Sequence, residues 1–251
     1  MNGQGEVLGR VVGSDLKRTA VTAGRVIDQA STTRPHHLPT ELTVVDAFRF
    51  PIATKEARRD VLIGGCLIIG LLVVGWILNL GNRLNVVSRL SADDRPYFRG
   101  FKPWGYTFRR GCISFATISS YLAPAALFAA LAFWCRQNAV QPGHVFFAVC
   151  SAISFCAGVF TLPGCMTVYA VEGDPKVLRQ PVRAFSRAWS RRRPYLFAWW
   201  IATLSIVLSF LGLLAAGVGF FFTSVWAWDV VGYAFTVAMY SPTEVSCDQR
   251  G

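Results

Sequence analysis

From position 195 to position 243 the chain runs for 49 residues with one charged side chain, Asp229. As a single helix this run would extend about 73 Å, more than twice the roughly 30 Å hydrocarbon core of a bilayer. Two spans joined by a tight turn fit instead. Gly212, Gly217 and Gly219 place that turn near 215–220, which predicts helices over 195–215 and 220–241.

Three further runs have the same character. Residues 61–80 are 20 positions without a charge, the length of one span. Residues 111–135 are 25 uncharged positions with Pro124 in the middle, and 144–171 contain Pro163 and Gly164. A proline inside such a run predicts a kink, because neighbouring helices and hydroxyls satisfy the freed carbonyl. Trp134, Trp199, Trp200, Trp226 and Trp228 fall in or near expected span ends, as interfacial belts require. The expected fold is therefore an all-α, polytopic transmembrane helical bundle of about five spans. A polar extension at 1–44 precedes a membrane domain at 45–243, and a short tail at 244–251 follows it.

The net charge of +11 suits a nucleic-acid binder, so the placement of the charge decides. Of the 25 Lys and Arg residues, nine precede position 61, seven lie in 81–110, seven in 172–194, and only Arg136 and Arg250 lie elsewhere. Charge confined to the gaps between apolar runs reads as loop charge, and no nucleic-acid partner is expected. With 53% apolar residues, 16% charged and a mean hydropathy of +0.41, the composition is that of a membrane protein. The first apolar run begins only at Val61, so no secretory signal peptide is expected.

Alternating five spans puts 81–110, 172–194 and the C-terminus on one side with 15 basic residues, against ten on the other. The positive-inside rule makes that side cytoplasmic in a cell membrane. A basic N-terminal segment of 60 residues would then have to cross, against the same rule. A re-entrant or broken first span, which Gly65, Gly70 and Gly75 permit, keeps it inside. Both arrangements stay open.

Within 172–194, Arg179, Arg183, Arg187 and Arg191 recur every four residues, with Val182, Phe185 and Trp189 interleaved at three and four. This pattern predicts an amphipathic helix in the headgroup plane, its arginines meeting anionic lipid phosphates. Arg191, Arg192 and Arg193 then anchor the topology of the next span. Residues 81–110 repeat the plan more weakly through Leu84, Val87 and Leu90, then continue as a Pro- and aromatic-rich loop on the interface.

Three segments carry a resemblance: DAFRFPIATKEARRDVLIGG, LPGCMTVYAVEGDPKVLRQPVRAFSRAW and YLFAWWIATLSIVLSFLGLL. Over about 46–240 the chain resembles the DUF4013 family of prokaryotic, mainly archaeal, integral membrane proteins. The resemblance implies a multi-pass membrane protein and brings no activity or catalytic residue, the family being one of unknown function.

Seven cysteines show no CxxC pair, the three histidines lie away from ligand spacings, and no P-loop, GxGxxG, GxSxG or HExxH occurs. No enzyme activity, metal or cofactor is expected. Asp229 is the one acid at membrane depth, where a charge costs about 2.5–3.5 kcal/mol and tends to face a partner or water. Its expected partners are Tyr233, one turn on, and the hydroxyls of span two, Ser119 and Ser120 foremost, with Ser114, Thr117 and Tyr121. Small residues four apart in span two, such as Ala125 and Ala129, predict close helix contact inside the bundle or between protomers. The leading functional expectation is a non-catalytic membrane component in assembly, scaffolding or envelope organisation. The alternative is a small transporter or channel component using Asp229 and the kinked spans two and three.

Overall fold

The computed structural model describes residues 38–138, 140–214 and 217–242. Among them there are helices and no strand. In chain order they are α1 (Val44–Arg49), α2 (Lys55–Gly70), α3 (Leu72–Ala92), α4 (Trp104–Gln137), α5 (Gln141–Glu172), α6 (Pro181–Ser190), α7 (Arg192–Phe210) and α8 (Val218–Tyr240). Short 3-10 turns at Phe50–Ile52, Pro175–Arg179 and Leu211–Leu214 join or extend them. The expected all-α transmembrane bundle is what forms. Residues 1–37 of the polar extension, and the tail with Cys247, lie outside the described residues.

Among the described residues, four helices are long and apolar enough to cross a membrane: Trp104–Gln137, Gln141–Glu172, Arg192–Leu214 and Val218–Tyr240. The expected count of five is thus corrected to four. The run 61–80 does not make one helix, because the backbone leaves helical geometry at Leu71 (φ −134°, ψ 45°) and the chain doubles back. Gly75 sits against the Leu67 carbonyl, an approach that any side chain would block. The Asn79 amide then donates to the Gly64 carbonyl at 3.1 Å and to that of Gly75 at 2.7 Å, pinning α2 to α3. At the open end Ala57, Val86 and Phe98 form one buried cluster. Residues 57 with 86, 64 with 79, and 67 with 75 define an antiparallel hairpin whose tip, from Ile69 to Val74, is apolar and largely exposed. The glycine spacing was the sequence signal for this re-entrant alternative.

The segment 81–110 is also corrected. Helix α3 runs on to Ala92, where Asp93 closes it in the left-handed conformation, and Leu84, Val87 and Leu90 are buried in the main core. Only 93–103 is loop, and Phe98 and Phe101 fold it inward. Residues 38–44 are likewise docked: Leu38 is buried, and the Ser241 hydroxyl donates to the Pro39 carbonyl at 2.6 Å.

Helices α3 and α4 cross at two glycines. A Cβ on Gly81 would overlap the Thr107 carbonyl, and one on Gly111 the Ile77 carbonyl. Backbone cannot yield as a flexible side chain does, so Gly111→Ala is expected to cost about 1–3 kcal/mol. The corresponding fall in the thermal midpoint in mild detergent is roughly 2–4 °C per kcal/mol for a chain of this size.

Helix α8 stands at the centre, with every residue from Asp229 to Met239 buried. Its high apolar content on all faces is what a fully surrounded helix requires. Of the five tryptophans expected in interfacial belts, Trp134, Trp200 and, at the margin, Trp228 are exposed. Trp199 instead stacks on Phe160 and meets Phe235, the Trp226 indole donates to the Phe48 carbonyl, and Trp228 lies under Arg83.

Candidate functional site

Asp229 is 6% exposed and lies midway along α8. It shares a small cavity of about 20 Å³ with Asn79, Asn82 and Arg83 of α3 and with Ser224. The Arg83 guanidinium stacks over the Trp228 ring at 5.1 Å and lines the same cavity as the Asp229 carboxyl. A second cavity of about 40 Å³ lies on the other side of Arg83, lined in part by Ser114, Met166 and Trp228. Among the described residues, Asn82 Oδ1 and Ser114 Oγ are buried without a hydrogen-bond partner. Each cavity has the volume for one or a few water molecules, which need just such polar walls.

The partners expected of Asp229 are not the ones it has. Ser119 and Ser120 are exposed on α4, and the Ser120 hydroxyl donates to the Ala116 carbonyl of its own helix. Tyr233 is buried one turn on, but its ring packs on Phe50 at 4.7 Å. Of the hydroxyls in span two, Ser114 alone reaches the neighbourhood of this cluster. Arg83 was missed because residues 81–110 read as loop. The signal was present: Asn79, Asn82 and Arg83 are spaced three and four apart, a polar stripe on one face of an otherwise apolar helix.

Arg110 is a second buried cation, 5% exposed, in the first turns of α4. It donates to Asn85 Oδ1 at 2.9 Å and to the Ala170 carbonyl at 3.1 Å, and the Asn85 amide in turn donates to Thr107 Oγ1 at 3.0 Å. The rings of Tyr106 and Tyr169 flank the guanidinium, each at 5.5 Å. Ala170 lies in the last turn of α5, so the negative end of that helix dipole supplements the two π faces in place of a carboxylate. Three helices are thereby tied at one point.

At the same end of the bundle α6 forms where the arginine periodicity placed it. It carries three faces. Ala184 and Ala188 are buried against the protein, while Val182 (77% exposed) and Trp189 (61% exposed) form with Phe185 an outward apolar face. On the third face Arg183 and Arg187 pair with Glu172 at the end of α5, at 3.3 and 3.6 Å, and Arg187 also donates to the Tyr240 hydroxyl at 2.6 Å. Arg191 donates to the Ser241 carbonyl. Arg183, Arg187 and Arg191, expected to meet lipid phosphates, thus reach α5, α8 and the chain after it. Arg192 and Arg193 are exposed, and Arg179 lies in the preceding 3-10 turn.

At the base of the hairpin, Asp60 Oδ2 accepts from the Gly100 amide at 2.9 Å. Burial pushes its carboxyl above the ordinary value, opposed by that hydrogen bond and by Arg59 and Arg89. This group holds the 93–103 loop onto α2. No protein-family model, curated protein or solved structure matches the chain.

Proposed function

We propose that this protein is a non-catalytic, multi-pass membrane component of the DUF4013 type, acting in membrane assembly, scaffolding or envelope organisation. The observation that carries this reading over transport is that the intramembrane acid shares its cavity with an intramembrane cation. Asp229 and Arg83 line the same cavity of about 20 Å³, and an arginine beside the acid disfavours a cation cargo there. The rest of the polar interior serves to join helices, as Arg110 and Asn79 do.

In this reading the basic end faces the cytoplasm. Four crossings and a re-entrant hairpin return the chain to the side it started from, which removes the conflict over the basic N-terminal segment. The 93–103 loop brings Arg95, Arg99 and Lys102 to that side, and the α5–α7 connection adds Lys176 through Arg191. The α4–α5 connection has Arg136 alone. This is the asymmetry of the positive-inside rule.

Two measurements test the proposal. Single cysteines replacing Asn138 and Asp174, in a chain freed of its native cysteines, are expected to label from opposite sides of the membrane, with position 174 cytoplasmic. Proteoliposomes holding the wild-type protein are expected to show no cation- or proton-dependent flux above empty vesicles. A flux abolished by Asp229→Asn would reject the scaffold reading in favour of transport.

A further inference from the structure

A groove of about 810 Å³ lies on the outer flank of the α4–α5 pair. That is within the roughly 300–1,000 Å³ range of pockets that accept a ligand of drug-like size. On α4 it runs from Ile113 to Pro124, about 16 Å at 1.5 Å per residue, close to half of a roughly 30 Å hydrocarbon core. The groove is therefore one leaflet deep. Its floor is shallow in side chains: Ala116, Ala157 and Gly158 line it, and Gly158 lets α5 approach the Tyr121 carbonyl.

Three of its hydroxyls are spent on their own helices. Thr117 donates to Ile113, Ser120 to Ala116 and Thr161 to Ala157, each to the carbonyl four residues back. What remains toward the groove is a largely apolar wall. The upper rim, at the basic end, is closed by Pro175, Leu178 and Pro181, and the Tyr121 hydroxyl fixes that rim by donating to the Leu178 carbonyl at 3.1 Å. Two exposed cations adjoin lining residues in the sequence. Arg109 precedes Ile113 by one turn on the same face of α4, and Lys176 follows Pro175.

We propose that this groove holds one acyl chain of an anionic phospholipid from the leaflet at the basic end, with the lipid phosphate between Arg109 and Lys176. The depth matches a chain confined to one leaflet, and the charge sits where its headgroup would lie. A second copy of the protein would place an apolar helix there and leave both cations without a counter-charge. The inference rests on the membrane reading of the four long helices, and is independent of whether the protein transports anything.

The test uses the full-length protein in mild detergent, with phosphatidylglycerol or phosphatidylcholine added and bound lipid read by native mass spectrometry. The wild type is expected to retain one phosphatidylglycerol in preference to phosphatidylcholine. Ala116→Phe, which fills the groove at an exposed position, is expected to weaken that binding at least about tenfold. Arg109→Gln with Lys176→Gln is expected to abolish the preference between headgroups. Equal retention by wild type and Ala116→Phe would overturn the proposal. As a check that does not depend on a bulky substitution being tolerated, a photo-crosslinking residue at Ser154 is expected to yield an adduct with the mass of a phospholipid. A crosslinked dimer, or no lipid adduct in protein that still fractionates with membranes, rejects the groove as a lipid site while leaving the membrane reading intact.

Discussion

Arg83→Leu is expected to destabilise the protein by about 1–3 kcal/mol, because it removes the cation that shares a buried cavity with the Asp229 carboxyl and loses the stacking on Trp228. The double replacement Arg83→Leu with Asp229→Leu is expected to recover most of that loss. Replacing both members of a buried charge pair by apolar groups is often neutral or stabilising, whereas removing one is costly. Reversible unfolding in mixed detergent micelles reads both values. If the single and double variants are equally unstable, packing against Trp228 matters more than charge. Asn82 and Ser224 line the same cavity, so neighbouring polar groups soften the single-variant loss toward the lower figure.

Arg110→Met is expected to cost about 2–4 kcal/mol by a different route. No charge is left behind, but Asn85 Oδ1 and the Ala170 carbonyl each lose a donor, and an orphaned buried polar group costs about 1–3 kcal/mol. Arg110→Lys keeps the charge and one donor direction, and about half the loss is expected. A lysine cannot reproduce the planar fork that reaches both acceptors while lying between Tyr106 and Tyr169. Thermal unfolding of the three proteins in the same detergent orders them; a lysine variant as unstable as the methionine one would show that the two-acceptor geometry dominates over charge.

Length and hydropathy carried the four crossing helices, since an uncharged run long enough to span admits few other fates. The turn between α7 and α8 was legible because Gly217, at φ 76°, adopts a conformation that favours glycine. The doubling back at Leu71 was legible only as an option. Glycines spaced along 65–75 permit a straight span and a hairpin alike, and Asn79, which fastens the hairpin, reads in isolation as the polar end of a span. The candidate site was half legible. A lone acid in an apolar run announces itself, as Asp229 did. Its partner did not, because Arg83 sits just past the hydrophobic run, where a cation ordinarily marks a loop. Arg110 was hidden for the same reason, although Tyr106 one turn before it is a spacing that favours ring and guanidinium contact. The arginine stripe of α6 gave the helix but not its contacts, since Glu172 belongs to another element.

The hairpin has a further consequence for the order in which the molecule can be completed. Helices α2 and α3, although early in the chain, pack on α8, and the Phe48 carbonyl waits for a tryptophan 178 residues later. At translation rates of about 5–20 residues per second, that is an interval of roughly 9–36 s. Throughout it Arg83 has no Asp229 beside it, and Gly64 and Gly65 of α2 have no Val225 or Phe222 against them. A nascent chain thus carries an unclosed hairpin past the synthesis of the first three crossing helices. Truncation before α8 removes the closing surface altogether, so the last helix acts as the checkpoint for the first.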